Sequence, residues 1–142
     1  EVNINIQTED GTAAIHFAAF TGQLKACEWL IDIGKCNMNI LNSFGCNASQ
    51  WCAINGEIEL MEYFRDKGLD FSILNKNGHS AVHKAAIKGN LDACKWLLDI
   101  SGGALGIRHC QPDDGGSSPY KLAFDNGHYQ LADFLLEYES NS

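Results

Sequence analysis

No run of about 18 consecutive apolar residues occurs in these 142 residues, which excludes a membrane-spanning helix. No signal peptide opens the chain, so a soluble protein is expected. Six cysteines stand at 27, 36, 46, 52, 94 and 110, yet no C-x-x-C pair occurs among them, which argues against a zinc site. Bases are scarce: 10 Lys and Arg face 18 Asp and Glu, for a formal net charge of −8. That balance argues against a nucleic-acid backbone or an anionic membrane as the main partner. Gly102-Gly103 and Gly115-Gly116 neither follow a strand nor lead into a helix with lysine, so they form no nucleotide cradle. No serine or cysteine stands at a recognisable spacing from a base and an orienting acid. Catalytic residues, cofactors and metals are therefore not expected.

What the chain does have is a rhythm of glycines: Gly11 and Gly22, Gly45 and Gly56, Gly78 and Gly89, Gly116 and Gly127. Each pair is 11 residues apart, and the leading glycines advance by 34, 33 and 38 residues. A unit of about 33 residues is thus repeated four times. The blocks read Gly11-TAAIHFAAFT-Gly22, Gly45-CNASQWCAIN-Gly56, Gly78-HSAVHKAAIK-Gly89 and Gly116-SSPYKLAFDN-Gly127. Short polar residues at Asn47, Ser80 and Ser118 suit helix starts, and the second glycines suit left-handed helix ends. A second helix follows, with Leu24, Cys27, Leu30 and Ile31, then Ile58, Met61 and Phe64, at helical spacing.

This pattern resembles the ankyrin repeat, whose signature has the form T-P-L-H-x-A at a period of 33. It is carried by Ala13-Ala14-Ile15-His16, Asn47-Ala48-Ser49-Gln50, Ser80-Ala81-Val82-His83 and Ser118-Pro119-Tyr120-Lys121, with small pairs Ala18-Ala19, Cys52-Ala53 and Ala85-Ala86. The signature proline survives only at Pro119 and the histidine only at His16 and His83, and Ser49 and Gln50 make the second copy the most divergent. The resemblance implies an all-α solenoid of stacked helix-turn-helix units with β-hairpin-like fingers. One domain spans 1–142, with repeats at about 8–41, 42–74, 75–107 and 113–142 and a finger insertion within 101–115. His16 and His83 are expected to satisfy backbone groups of an adjacent finger; His79, His109 and His128 look isolated.

In register, the column seven residues after the second glycine reads Trp29, Tyr63, Trp96, Phe134. Two further columns read Cys27, Met61, Cys94, Ala132 and Leu30, Phe64, Leu97, Leu135. These are expected to be core, because one helical pair cannot bury its apolar face alone. Cys27, Cys52 and Cys94 are expected as buried, reduced thiols, and Cys36, Cys46 and Cys110 as exposed ones. The second helices hold eleven acids and four bases, as a solvated convex face would.

The resemblance implies that finger tips and first-helix positions form a concave, partner-binding surface. Carried over repeat by repeat, the expected site comprises Glu9, Asp10, Thr12, Phe20 and Thr21; Phe44, Cys46, Trp51, Ile54 and Asn55; and Lys76, Asn77, His79, Lys84, Ile87 and Lys88. Phe17 stands beside the first group, and the fourth repeat adds Asp114, Ser117, Leu122, Asp125 and Asn126. Exposed aromatics ringed by polar groups make a protein-binding patch; for Trp51, binding and packing both stay open. The finger between Ser101 and Gly116 spans 15 steps against 10 for Gly68 to Gly78, and is either a groove-edge contact or a tolerated loop.

A non-catalytic, monomeric scaffold or adaptor that binds a protein segment is expected, in the cytoplasm, with the nucleus as the alternative compartment. A regulatory domain of a larger enzyme or channel is the second reading. The start at Glu1-Val2-Asn3, without an initiator methionine, reads as that of a fragment.

Overall fold

The computed structural model describes residues 3–100 and 107–140, and its eight α-helices fall in four helix-turn-helix pairs. They are α1 (Ala14–Phe20) with α2 (Leu24–Glu28), α3 (Ala48–Asn55) with α4 (Ile58–Lys67), α5 (Ala81–Lys88) with α6 (Leu91–Lys95), and α7 (Pro119–Asp125) with α8 (Tyr129–Ser140). The short α2 and α6 continue as π-helical turns over Trp29–Ile33 and Trp96–Ile100. Of the expected finger insertion at 101–115, residues 101–106 lie outside the described residues; a 3₁₀ turn, Ile107–Cys110, leads into its remainder.

Side-chain caps start the first helices. Asn47 accepts from the Ser49 amide at 2.8 Å, and Ser80 accepts from Val82 at 3.1 Å and His83 at 3.3 Å. Ser118 caps α7, with Pro119 in its first turn. Left-handed glycines end them, and here glycine is needed twice over. Gly56 (φ 79°) and Gly89 (φ 77°) would each bring a Cβ against the next repeat, 2.8 Å from Asn90 and 2.5 Å from His128. Those two side chains hold the joints. Asn90 donates to the Ile54 carbonyl at 2.7 Å and His128 to that of Ile87 at 3.1 Å, while Asn55 donates to that of Phe20 at 3.2 Å.

The signature histidines bind each repeat to the following finger. His16 Nδ1 accepts from the Ala13 amide at 2.9 Å, and its Nε2–H donates to the Cys46 carbonyl at 3.1 Å. His83 does the same between the Ser80 amide and the Gln111 carbonyl, at 3.1 and 2.8 Å. Both arrangements require a neutral imidazole. The divergent second copy keeps both bonds, because Gln50 accepts from the Asn47 amide at 3.0 Å and donates to the His79 carbonyl at 3.2 Å.

First helices stack in order, α1 on α3, α3 on α5 and α5 on α7, with the small pairs at their seams almost wholly buried. Cys27, Met61, Cys94 and Ala132 are buried as a column, as are Phe64, Leu97 and Leu135, while Leu30 is half-buried. The aromatic column departs from expectation at its first member. Trp29 is 52% exposed and Trp96 1%. Repeat two supplies the difference: Phe71 meets the Trp96 ring edge-on at 5.4 Å, and the Arg65 guanidinium lies 5.5 Å from it.

Fingers are tight turns linked one to the next. Each closes on itself through a backbone bond, Thr8 to Thr12, Asn42 to Cys46, Asn75 to His79 and Asp113 to Ser117. Each then donates to the finger before it, Ser43 to Asp10 at 2.8 Å, Lys76 to Phe44 at 2.9 Å and Asp114 to Asn77 at 3.0 Å. Asn42, Asn75 and Asp113 fold their own turns by accepting two amides apiece.

The cysteines are free thiols, but two sit elsewhere than expected. Cys46 and Cys110 are buried, Cys46 beside the Asn75 amide group and Cys110 within the core; only Cys36 has appreciable access. Burial pushes Cys27, Cys94 and Cys110 up to about 12 and raises Cys52 as well. A thiol-reactive disulfide reagent at neutral pH is therefore expected to label Cys36 first and the buried thiols only on unfolding, and reductant should leave the melting temperature unchanged. Rapid labelling of Cys110 would contradict this packing.

Candidate functional site

Finger tips and first helices line one side of the stack, and two clefts open there. The first, about 560 Å³, lies between Thr8, Glu9, Asp10 and Thr12 of the first finger and Phe17 and Trp51 of α1 and α3. The second, about 310 Å³, lies between Asn42, Phe44, Cys46, Asn75 and Asn77 of two fingers and Gln50, Trp51, Ile54 and Lys84 of α3 and α5. Trp51 walls both. Its ring meets Phe20 edge-on at 5.4 Å and His16 at 5.8 Å, so the indole packs across the α1–α3 seam while part of it faces the clefts.

Around Trp51 the surface carries several apolar side chains. Phe17, Phe20 and Phe44 are 50, 43 and 55% exposed, and Ile54 and Ile87 are half-buried. Glu9, Asp10, Thr21, Lys76, Asn77 and Lys88 are exposed, and Lys84 is half-buried. Four of the expected residues turn polar atoms inward, Thr12 and Cys46 among them although both also line the clefts. Thr12 is buried, its hydroxyl donating to Asp10 at 2.7 Å, and Cys46 is buried beneath the second finger. Asn55 holds the α1–α3 joint, and His79 pairs with Asp113 at 2.7 Å and stacks on His83 at 5.4 Å. His79 and His128 are thus not isolated, and His109 is buried. Thr8, Asn42, Gln50 and Asn75 were not expected at the clefts. A carboxamide three residues before the leading glycine in copies two and three was the available signal for two of them.

Hydrogen bonds from Thr8 and Thr12 hold the Asp10 carboxyl below the usual carboxylate range. Asp113 is held down by the Ser117 amide first and by His79 after it. Both acids are ionised at neutral pH, yet they serve finger turns. Among the described residues no three His, Cys, Asp or Glu side chains gather as metal ligands, and no helix is long and apolar enough to cross a membrane. Among the described residues that line these two clefts, no nucleophile, base and acid come together.

A surface of fingers and first helices on a helical stack is the architecture of a repeat-built interaction module. The family model for ankyrin repeats (3 copies) matches residues 1–73 and again 50–142, and the chain belongs to that family. Ankyrin repeats mediate protein binding and are not themselves catalytic. The chain is 27% identical to the tyrosine-protein kinase Shark of Drosophila melanogaster over 96% of its own length and 14% of the kinase. It is 32% identical to a probable protein S-acyltransferase 23 of Arabidopsis thaliana, over 89% of this chain and 23% of that protein. It is 28% identical to the transient receptor potential cation channel subfamily A member 1 of Homo sapiens, over 70% and 9% respectively. It therefore spans less than a quarter of each of these relatives.

Proposed function

We propose that this chain binds an extended protein segment along its finger and first-helix surface, as a monomeric, non-catalytic scaffold or adaptor unit in the cytoplasm or nucleus. One observation carries the reading: Phe17, Phe20 and Phe44 stand exposed beside two adjoining clefts that share Trp51. Aromatic surface next to concave, partly polar walls is the composition of an interface hot spot. The second reading, a regulatory unit within a larger enzyme or channel, draws on the kinase, acyltransferase and channel among the relatives. It uses the same surface.

Affinity capture from cell lysate tests the site. Proteins retained by the native chain are expected to be lost with Phe20→Ser/Phe44→Ser and kept with Lys25→Ser on α2, all three proteins melting alike. Capture that survives the first variant and fails with the second would move the site to the other face.

A further inference from the structure

Charge on the groove narrows the chemistry of its occupant. Acids outnumber bases 18 to 10 over the chain, yet repeat three gathers Lys76 on its finger with Lys84 and Lys88 on α5. Four residues apart on a helix, the latter two share a face. None of the three has a carboxylate within ion-pair distance among the described residues; Lys25, Lys35 and Lys95 share that state but stand on or just after second helices, off the fingers and first helices, and Arg65, Lys67 and Lys121 are paired. Asp114, exposed on the next finger, approaches Asn77 through its backbone amide. Lys84 walls the second cleft together with Phe44, Trp51 and Ile54. Beyond Trp51, the first cleft is walled by Glu9 and Asp10. An apolar floor thus lies between an acidic end and an unneutralised cationic end.

We infer that the occupant is an extended acidic peptide segment whose bulky apolar side chain sits between Phe44, Trp51 and Ile54 while its carboxylates lie over Lys76, Lys84 and Lys88. This rests on the groove reading above and adds the ligand's chemistry and direction. Glu9 and Asp10 repel the carboxylates, so the acidic part of the segment points toward repeat three. The apolar anchor supplies most of the affinity, because one exposed ion pair adds roughly fivefold at most. The lysines set the direction, the association rate and the salt dependence.

A randomised peptide library displayed on phage tests this with the native chain, with Lys76→Glu/Lys84→Glu/Lys88→Glu, and with Phe44→Ala. The native chain is expected to enrich peptides that pair a large apolar residue with Asp or Glu. One such peptide, synthesised and labelled, is expected to bind the triple variant at least about tenfold more weakly and to weaken as salt rises from about 0.05 to 0.5 M. Selection on the triple variant should keep the apolar anchor and favour Lys or Arg beside it. Enriched peptides with no acidic bias, or acidic peptides held equally by the triple variant, overturn the inference and leave the groove reading standing. No enrichment at all, or binding indifferent to Phe44→Ala, overturns both. Sedimentation of the native chain as a dimer that the triple variant abolishes would assign the lysines to a second copy, and binding of a single-stranded oligonucleotide through the lysines without Phe44 would assign them to nucleic acid. Either result also overturns the inference.

Discussion

Trp96→Ala is expected to lower the free energy of unfolding by about 3 kcal/mol, and Trp29→Ala by less than about 1 kcal/mol. The two residues sit in near-identical frames, Ala26-Cys27-Glu28-Trp29-Leu30-Ile31-Asp32-Ile33 and Ala93-Cys94-Lys95-Trp96-Leu97-Leu98-Asp99-Ile100, and each opens a π-helical turn. Local sequence therefore cannot separate them; the preceding repeat does, by placing Phe71 and Arg65 on Trp96 alone. Truncating a fully buried tryptophan costs about 3 to 5 kcal/mol. The Trp96 indole N–H is buried with no acceptor among the described residues. Removing it relieves a penalty of about 1 to 3 kcal/mol, which sets the expected loss at the low end. Trp96→Phe keeps most of the apolar contact and sheds that N–H, so it should stay within about 1.5 kcal/mol of the native protein. Phe134→Ala, at a half-buried site with Lys95 5.7 Å from the ring, should fall between the two alanine variants. Denaturant melts measure all four, and equal losses at 29 and 96 would contradict the packing.

Lowering the pH from about 7 toward 4 is expected to destabilise the native chain by about 3 kcal/mol through His83 alone. Burial is the main cause that takes this imidazole down to about 4 from its ordinary 6.5; the Gln111 carbonyl and Asp113 pull the other way, and His79 and His109 add to the lowering. The unfolded chain takes up the proton first. Stability conferred by neutral His83 is thus complete above 6.5 and drains away as pH falls from there toward 4, a gap that converts to about 3 kcal/mol. His16 is lowered by burial too and works in the same direction, whereas burial raises Glu139, which works against both. His83→Gln isolates the effect, since Gln50 already spans the same pair of bonds in repeat two. The variant is expected to match native stability at pH 7 and to lose markedly less by about pH 4.5. Urea melts at the two pH values decide this, and parallel losses would refute it.

The repeat, its helix starts and its left-handed ends were legible because each depends on residues within one copy: Asn47, Ser80, Ser118 and the paired glycines. What escaped depends on a neighbour. Trp29 and Trp96 read alike and differ only in what stacks against them, and Asn90 and His128 gain their roles from carbonyls 36 and 41 residues away. At the groove, Phe20 and Phe44 were read as exposed because nothing in the repeat signature consumes them, and both stand exposed. Thr12, Cys46, Asn55 and His79 were placed at the surface by register, while finger turns and joints had first claim on their polar atoms.

Three tryptophans in three settings make the stack its own optical instrument. Trp29 faces water, Trp51 walls the clefts and Trp96 is sealed in the core, so their emission should separate from red to blue in that order. Iodide, which reaches only solvent-exposed rings, should quench Trp29 strongly, Trp51 partly and Trp96 hardly at all. A segment settling into the groove changes the middle component and leaves the other two as built-in references, one for solvent and one for folding.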